Sequence, residues 1–159
     1  MPEHHAQSGI PSIARWAGAT LALAVSLAAS GAAAEKPKSV VSVTAHGLRN
    51  DKGQVLCALF ASDKHFPDGE HAYKSDIVPV KSRQGTCRFS DLAPGTYAVA
   101  MFHDENKDRV LNTFLGIPRE GFGFSRDAPP STFGPPKFSA AAFRVVRGDY
   151  TLKVKMRYF

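Results

Sequence analysis

Tyr150-Thr151-Leu152-Lys153-Val154-Lys155-Met156-Arg157-Tyr158 is the stretch whose reading decides the fold. Tyr150, Leu152, Val154, Met156 and Tyr158 fall on one side of an extended chain; Thr151, Lys153, Lys155 and Arg157 fall on the other. Period-two alternation of this kind marks a strand with one face on a core and one in solvent. The cationic side also discourages edge-to-edge pairing with other chains.

Working outward, the same pattern recurs. Val41, Val43 and Ala45 alternate with Ser42 and Thr44 in a strand from about Ser39 to His46. The turn cluster Gly47 to Gly53 leads into a second strand, Gln54 to Phe60, so the two are expected to form a hairpin. Asp76 to Lys81 reads as a weak strand that Pro79 confines to an edge. Thr86 to Ser90 and Thr96 to Phe102 are further strands, and Ala140 to Val146 precedes the last one. No segment carries a helical period. About seven strands predict an all-β chain, an antiparallel β-sandwich of Greek-key type; by fold analogy alone such a sandwich resembles transthyretin-like and immunoglobulin-like domains. Leu92-Ala93-Pro94-Gly95-Thr96-Tyr97 sets Tyr97 at a strand start, where its hydroxyl can return to upstream backbone as in a tyrosine corner.

Residues 1–34 read as a cleaved signal peptide. Arg15 precedes an uncharged run from Ala17 to Ala29, and Ala32-Ala33-Ala34 offers small residues before a cut at Glu35. The run is shorter than the ~20 residues a membrane span needs. The alternative is a retained amphipathic N-terminus. After the cut, residues 35–159 form one domain, periplasmic or secreted, with no transmembrane segment. The only tryptophan, Trp16, leaves with the leader.

Formal net charge is +6, and removing Glu3 with Arg15 does not change it. In an exported protein that excess points to an anionic envelope component; no nucleic-acid motif is present. Cys57 and Cys87 are the only cysteines, and both alternate toward the core side of their strands. An even count in an oxidising compartment favours a disulfide, worth about 3–4 kcal/mol for a loop of roughly 30 residues. Two separate buried thiols are the other reading.

From His103 to Pro136 no strand pattern appears, while glycines, prolines and Phe114, Phe122, Phe124 and Phe133 concentrate there. A long ordered loop is expected to fold over one end of the sandwich, burying these rings as a satellite cluster or lining a ligand groove with them. His103, Glu105, Glu120, Phe122 and Phe124 are the candidate ligand-binding residues. Asp104, Asn106 and Asp108 place oxygens at alternate positions, the first half of a calcium-loop pattern, which Asn112, the Val110 carbonyl and Glu120 could extend. Arg109 replaces the glycine such loops use, and Leu115 stands where their last acid belongs. The competing reading is an Asx-rich turn bonding its own backbone. His103 with Asp104 or Glu105 could form a hydrolytic base and its orienting acid, although sequence neighbours rarely give that geometry. Ser125 lacks a nucleophile elbow.

The run His103-Asp104-Glu105-Asn106, with Leu115-Gly116-Ile117-Pro118-Arg119-Glu120-Gly121-Phe122-Gly123-Phe124-Ser125 and Pro135-Pro136-Lys137-Phe138, resembles the bacterial DUF2141 family, a domain of unknown function. The resemblance implies a small secreted or periplasmic protein without an assigned activity. Typical members are similar to His-Asp-Glu-Asn-Gly-Asn-Gly-Lys-Leu-Asp at the loop head, from which Lys107, Asp108, Arg109 and Asn112 depart here. Three functions remain open at this level. The first is a non-catalytic exported binding or interaction module whose 103–136 loop is the recognition surface, with calcium as a candidate organiser. The second is a small periplasmic hydrolase, and the third a structural envelope protein held electrostatically to anionic lipid or glycan.

Overall fold

The computed structural model describes residues 38–132 and 134–159; the expected leader with its cut after Ala34, and Phe133, lie outside the described residues. Two sheets pack face to face. The first is three-stranded, in the order β10 (Asp149–Lys155), β1 (Ser39–His46), β4 (Gln84–Leu92). The second runs β3 (Lys74–Pro79), β2 (Gln54–Phe60), β5 (Gly95–Asp104), β8 (Gly121–Phe124), and β9 (Phe143–Val145) pairs with the start of β5. The all-β sandwich is thus present, and β3 occupies the edge that Pro79 demands.

Alternation explains the core. Val41, Val43 and Ala45 of β1 and Val55, Cys57 and Leu59 of β2 are buried against one another, with Phe89, Tyr97, Val99 and Val154. In β10, Val154 is buried while Thr151, Lys153 and Lys155 are exposed. Cys57 and Cys87 are joined, and because they lie on β2 and β4 the disulfide bonds one sheet to the other. The Tyr97 hydroxyl donates to the Ala93 carbonyl at 2.8 Å, closing the tyrosine corner.

Several pairings differ from the expectation. β1 and β2 do not form a hairpin. Each joins a different sheet, so residues 47–53 carry the chain across the core. A hairpin strand pair is most often joined by two residues, and this longer connection has the reach to change layers. β1 is antiparallel to β4 but parallel to β10, with Val41 opposite Tyr150 and Val43 opposite Leu152. Parallel neighbours require a long crossover, which the intervening sheet supplies. The strand expected over Ala140–Val146 is divided: an alanine-rich turn of helix, α1 (Phe138–Ala141), buries Ala141 and β9 is correspondingly short.

The 103–136 segment is more regular than its composition suggests. It contains a small hairpin of β6 (Thr113–Phe114) and β7 (Ile117–Pro118), then β8. In β8 the alternation is present but unusual. A Cβ on Gly121 would stand 2.4 Å from the Tyr158 ring, and one on Gly123 would stand 2.6 Å from Val154 Cγ1. Glycine therefore faces the sandwich core, where Tyr158 and β10 leave no room for a side chain. Phe122 and Phe124 point away from it.

Candidate functional site

At the end of β5 the chain enters a polar knot. His103 is fully buried. Its Nε2 lies 2.7 Å from the Lys52 carbonyl, which can only accept, so this nitrogen carries a proton. Its Nδ1 lies 2.8 Å from the Tyr158 hydroxyl, which accepts from the Arg49 amide at 3.2 Å and, in the tautomer with the proton on Nε2, donates to the ring. Burial pushes the Tyr158 phenol above its ordinary value, against the opposing Arg49 amide. Neither ring nitrogen of His103 is open to a substrate. Gly53, at φ +73, lets the preceding turn lie against this strand end, since a Cβ there would fall 1.9 Å from the Asp104 carbonyl oxygen.

The oxygens beyond His103 are occupied by N–H groups. Asp104 accepts from the Asp108 amide at 3.1 Å, the Arg109 amide at 2.9 Å and Gln54 Nε2 at 2.8 Å. Asn106 Oδ1 accepts from the Asp108 amide, and Asp108 Oδ1 from the Val110 amide at 2.8 Å. Asp108 Oδ2 takes the side-chain amides of Asn106 and Asn112, while Asn112 Oδ1 takes Asn106 Nδ2. Those bonds, first from Asn112, then from the Val110 amide and Asn106, hold the Asp108 carboxyl below its usual range. Asp104, Asn106, Asp108 and Asn112 do come together, as nested Asx turns. Among the described residues no group of three or more His, Cys, Asp or Glu side chains is arranged to hold a metal.

Glu120 braces the same loop from behind. Its Oε1 accepts from the Glu105 amide at 2.9 Å and its Oε2 from the Asn112 amide at 3.0 Å. Glu105 forms an ion pair with Arg49 at 2.6 Å and accepts from Asn50 Nδ2 at 2.8 Å, with only 18% of its side chain exposed. Burial alone would raise this carboxyl, but the Asn50 and Arg49 contacts outweigh it and the net direction is down. His103, Glu105 and Glu120 thus hold the loop on the body.

The outer face of the larger sheet carries a cleft of about 1050 Å³. Register gives its floor as two cross-strand rows: Ser75, Ala58, Ala100, Phe124, and Ile77, Leu56, Phe102, Phe122. The paired alanines Ala58 and Ala100 make a trough between larger neighbours. Behind Phe124, Phe66 packs on Phe60 at 5.2 Å, on Phe138 at 5.7 Å and on Phe124 at 6.0 Å between centroids. Gln54 and Asp104 form the next row along the same face at the opposite end. Arg109, Leu111, Leu115 and Ile117 line one wall, and Pro130, Ser131, Thr132, Gly134 and Pro135 contribute from the far end of the 103–136 segment.

Of the residues singled out from sequence, Phe122 and Phe124 line this cleft and also belong to the satellite cluster with Ala98, Ala128 and Ala141. Leu56, Ala58, Ala100 and Phe102 were not singled out, although a signal exists. Val55 to Phe60 and Tyr97 to Phe102 are apolar at every position. A strand with one wet face would alternate, so an unbroken apolar run means that both faces are covered. The 103–136 motif string maps onto the knot, the hairpin and β8, which together support and wall the cleft. No curated protein and no solved structure matches the chain. A family model does match, over residues 43–153, and the chain belongs to the family described as "Uncharacterized protein conserved in bacteria (DUF2141)".

Proposed function

We propose that the chain is an exported, non-catalytic binding module that holds a small apolar molecule in the cleft on the outer face of its larger sheet. The 103–136 segment is its recognition surface. One observation carries this reading: an aromatic and aliphatic trough of about 1050 Å³, open beside a loop that an internal hydrogen-bond network keeps in place. Ligand pockets run from about 300 to 1,000 Å³ and are mostly apolar, and a rigid support lowers the cost of ordering on binding. The disulfide and the leader-like composition of residues 1–34 support an oxidising compartment outside the cytoplasm.

The test is titration with 1-anilinonaphthalene-8-sulfonate, comparing the protein with Ala58→Phe, which fills the trough from its floor. Saturable dye fluorescence that Ala58→Phe removes, at an unchanged melting temperature, is the expected result. Equal dye binding by both proteins would overturn the reading.

A further inference from the structure

The β6–β7 hairpin leaves large apolar side chains mostly exposed, even though Leu115 and Ile117 border the cleft. Phe114 and Ile117 face each other across it, 58% and 54% exposed, and Leu115 at the tip is 86% exposed. Leu115 and Gly116 both take positive φ, +52° and +78°, the backbone of a type I′ turn. Asn or Asp normally fills the first of those positions, because a bulky side chain there is strained. Here the strained position carries a leucine directed into solvent, where it contributes nothing to the core.

Two arginines lie at the base of the hairpin, Arg49, which is paired with Glu105, and Arg119. The Arg119 guanidinium lies 5.0 Å from the centroid of the Phe114 ring and has no carboxylate partner among the described residues. Arg119, Arg49, Phe114, Ile117 and Phe159 line a second hollow of about 420 Å³ at the base of the hairpin, and Phe159 is itself 75% exposed. Apolar side chains projecting beyond arginines match the layering of a lipid surface, with anionic phosphate outside and hydrocarbon within. The chain's net charge of +6 has the complementary sign.

We propose that this hairpin docks the protein on an anionic bilayer. Phe114, Leu115, Ile117 and Phe159 enter the head-group boundary, and Arg119 meets lipid phosphate. The wall of the cleft and the docking tip are then one element, so the cleft opens beside the membrane. The docking stands on the hairpin alone and does not depend on what fills the cleft.

Sedimentation with vesicles of phosphatidylglycerol and phosphatidylcholine tests it, using the form beginning at Glu35, which holds every strand found among the described residues. Partition onto anionic vesicles is expected, weakening as salt rises. The double variant Leu115→Asn, Ile117→Thr lowers partition at least about tenfold, the loss of a buried leucine-sized side chain, while both positions are too exposed to change melting. Arg119→Ser lowers it about fivefold on anionic vesicles alone. Lys153→Ser, on the exposed face of β10, leaves it unchanged. No partition of the unaltered protein, undiminished partition of the double variant, or a loss with Lys153→Ser as large as with Arg119→Ser would each overturn the proposal. Self-association that the double variant abolishes, without vesicle binding, would assign the tip to a protein contact instead.

Discussion

Gly123 and Val154 are packed so closely that a Cβ on the glycine would stand 2.6 Å from Val154 Cγ1, with the Lys155 carbonyl oxygen at 3.1 Å. That approach turns Phe122 and Phe124 outward and makes the outer face of the larger sheet apolar. Gly123→Ala forces β8 away from β10 and is expected to destabilise by about 1–3 kcal/mol. Urea unfolding would show it; a midpoint unchanged from the parent protein would mean that β8 is not seated on β10.

Tyr158→Phe removes the donor to His103 Nδ1 and the acceptor of the Arg49 amide. The Arg49 amide is exposed and can turn to water, but a buried group such as His103 Nδ1 left without its partner costs about 1–3 kcal/mol, so the variant melts earlier with its β-sheet circular dichroism intact. Unaltered melting would show that His103 satisfies itself elsewhere.

Replacing Cys57 and Cys87 together by alanine frees a sequence separation of 30 residues. Stability should fall by about 2–4 kcal/mol, partly through the unfolded chain, and a reductant should no longer affect what remains. Calorimetry with and without dithiothreitol separates these effects.

The Glu105 carboxyl is held below its ordinary value of 4.5 by Asn50 and Arg49. A depressed folded-state value means that its stabilisation is complete above the unfolded value and is lost as pH falls through the folded one. Glu105→Gln should therefore be less stable than the parent near neutrality, with the gap closing below about pH 4.5. Urea midpoints from pH 7 to 3 measure it; a constant gap would sink the assignment.

Calcium at millimolar concentration should leave melting unchanged, because the side-chain oxygens of Asp104, Asn106, Asp108 and Asn112 already accept N–H bonds. A cation would have to compete with those N–H groups for the same oxygens. A rise of several degrees on titration would show that it does so and that the knot rearranges around the ion.

The sequence was most legible where one residue's environment follows from its immediate neighbours. The alternation of β1 and β10, the edge position of β3 and the tyrosine corner at Tyr97 follow from period two and turn chemistry, and the pairing of Cys57 with Cys87 from an even count on core-facing positions. The candidate site was legible in outline, since the 103–136 segment does wall the cleft. Its division of labour was not. Glu120 carries the same carboxylate whether it reaches a ligand or braces the Glu105 and Asn112 amides, and only the path of the intervening residues decides which.

By itself the sequence determined the main strands β1 to β5 and β10 and the faces that they bury, and it favoured the cross-link between Cys57 and Cys87, because side-chain period and backbone chemistry are local properties. The tertiary structure alone decided that β1 and β2 part into different sheets, that β10 lies parallel to β1, and that Phe122 and Phe124 line an outer cleft. Those outcomes depend on which surfaces meet at close range, here the lack of room beneath Val154 for anything larger than the hydrogen of Gly123. Fit between segments distant in sequence leaves no periodic trace in either one.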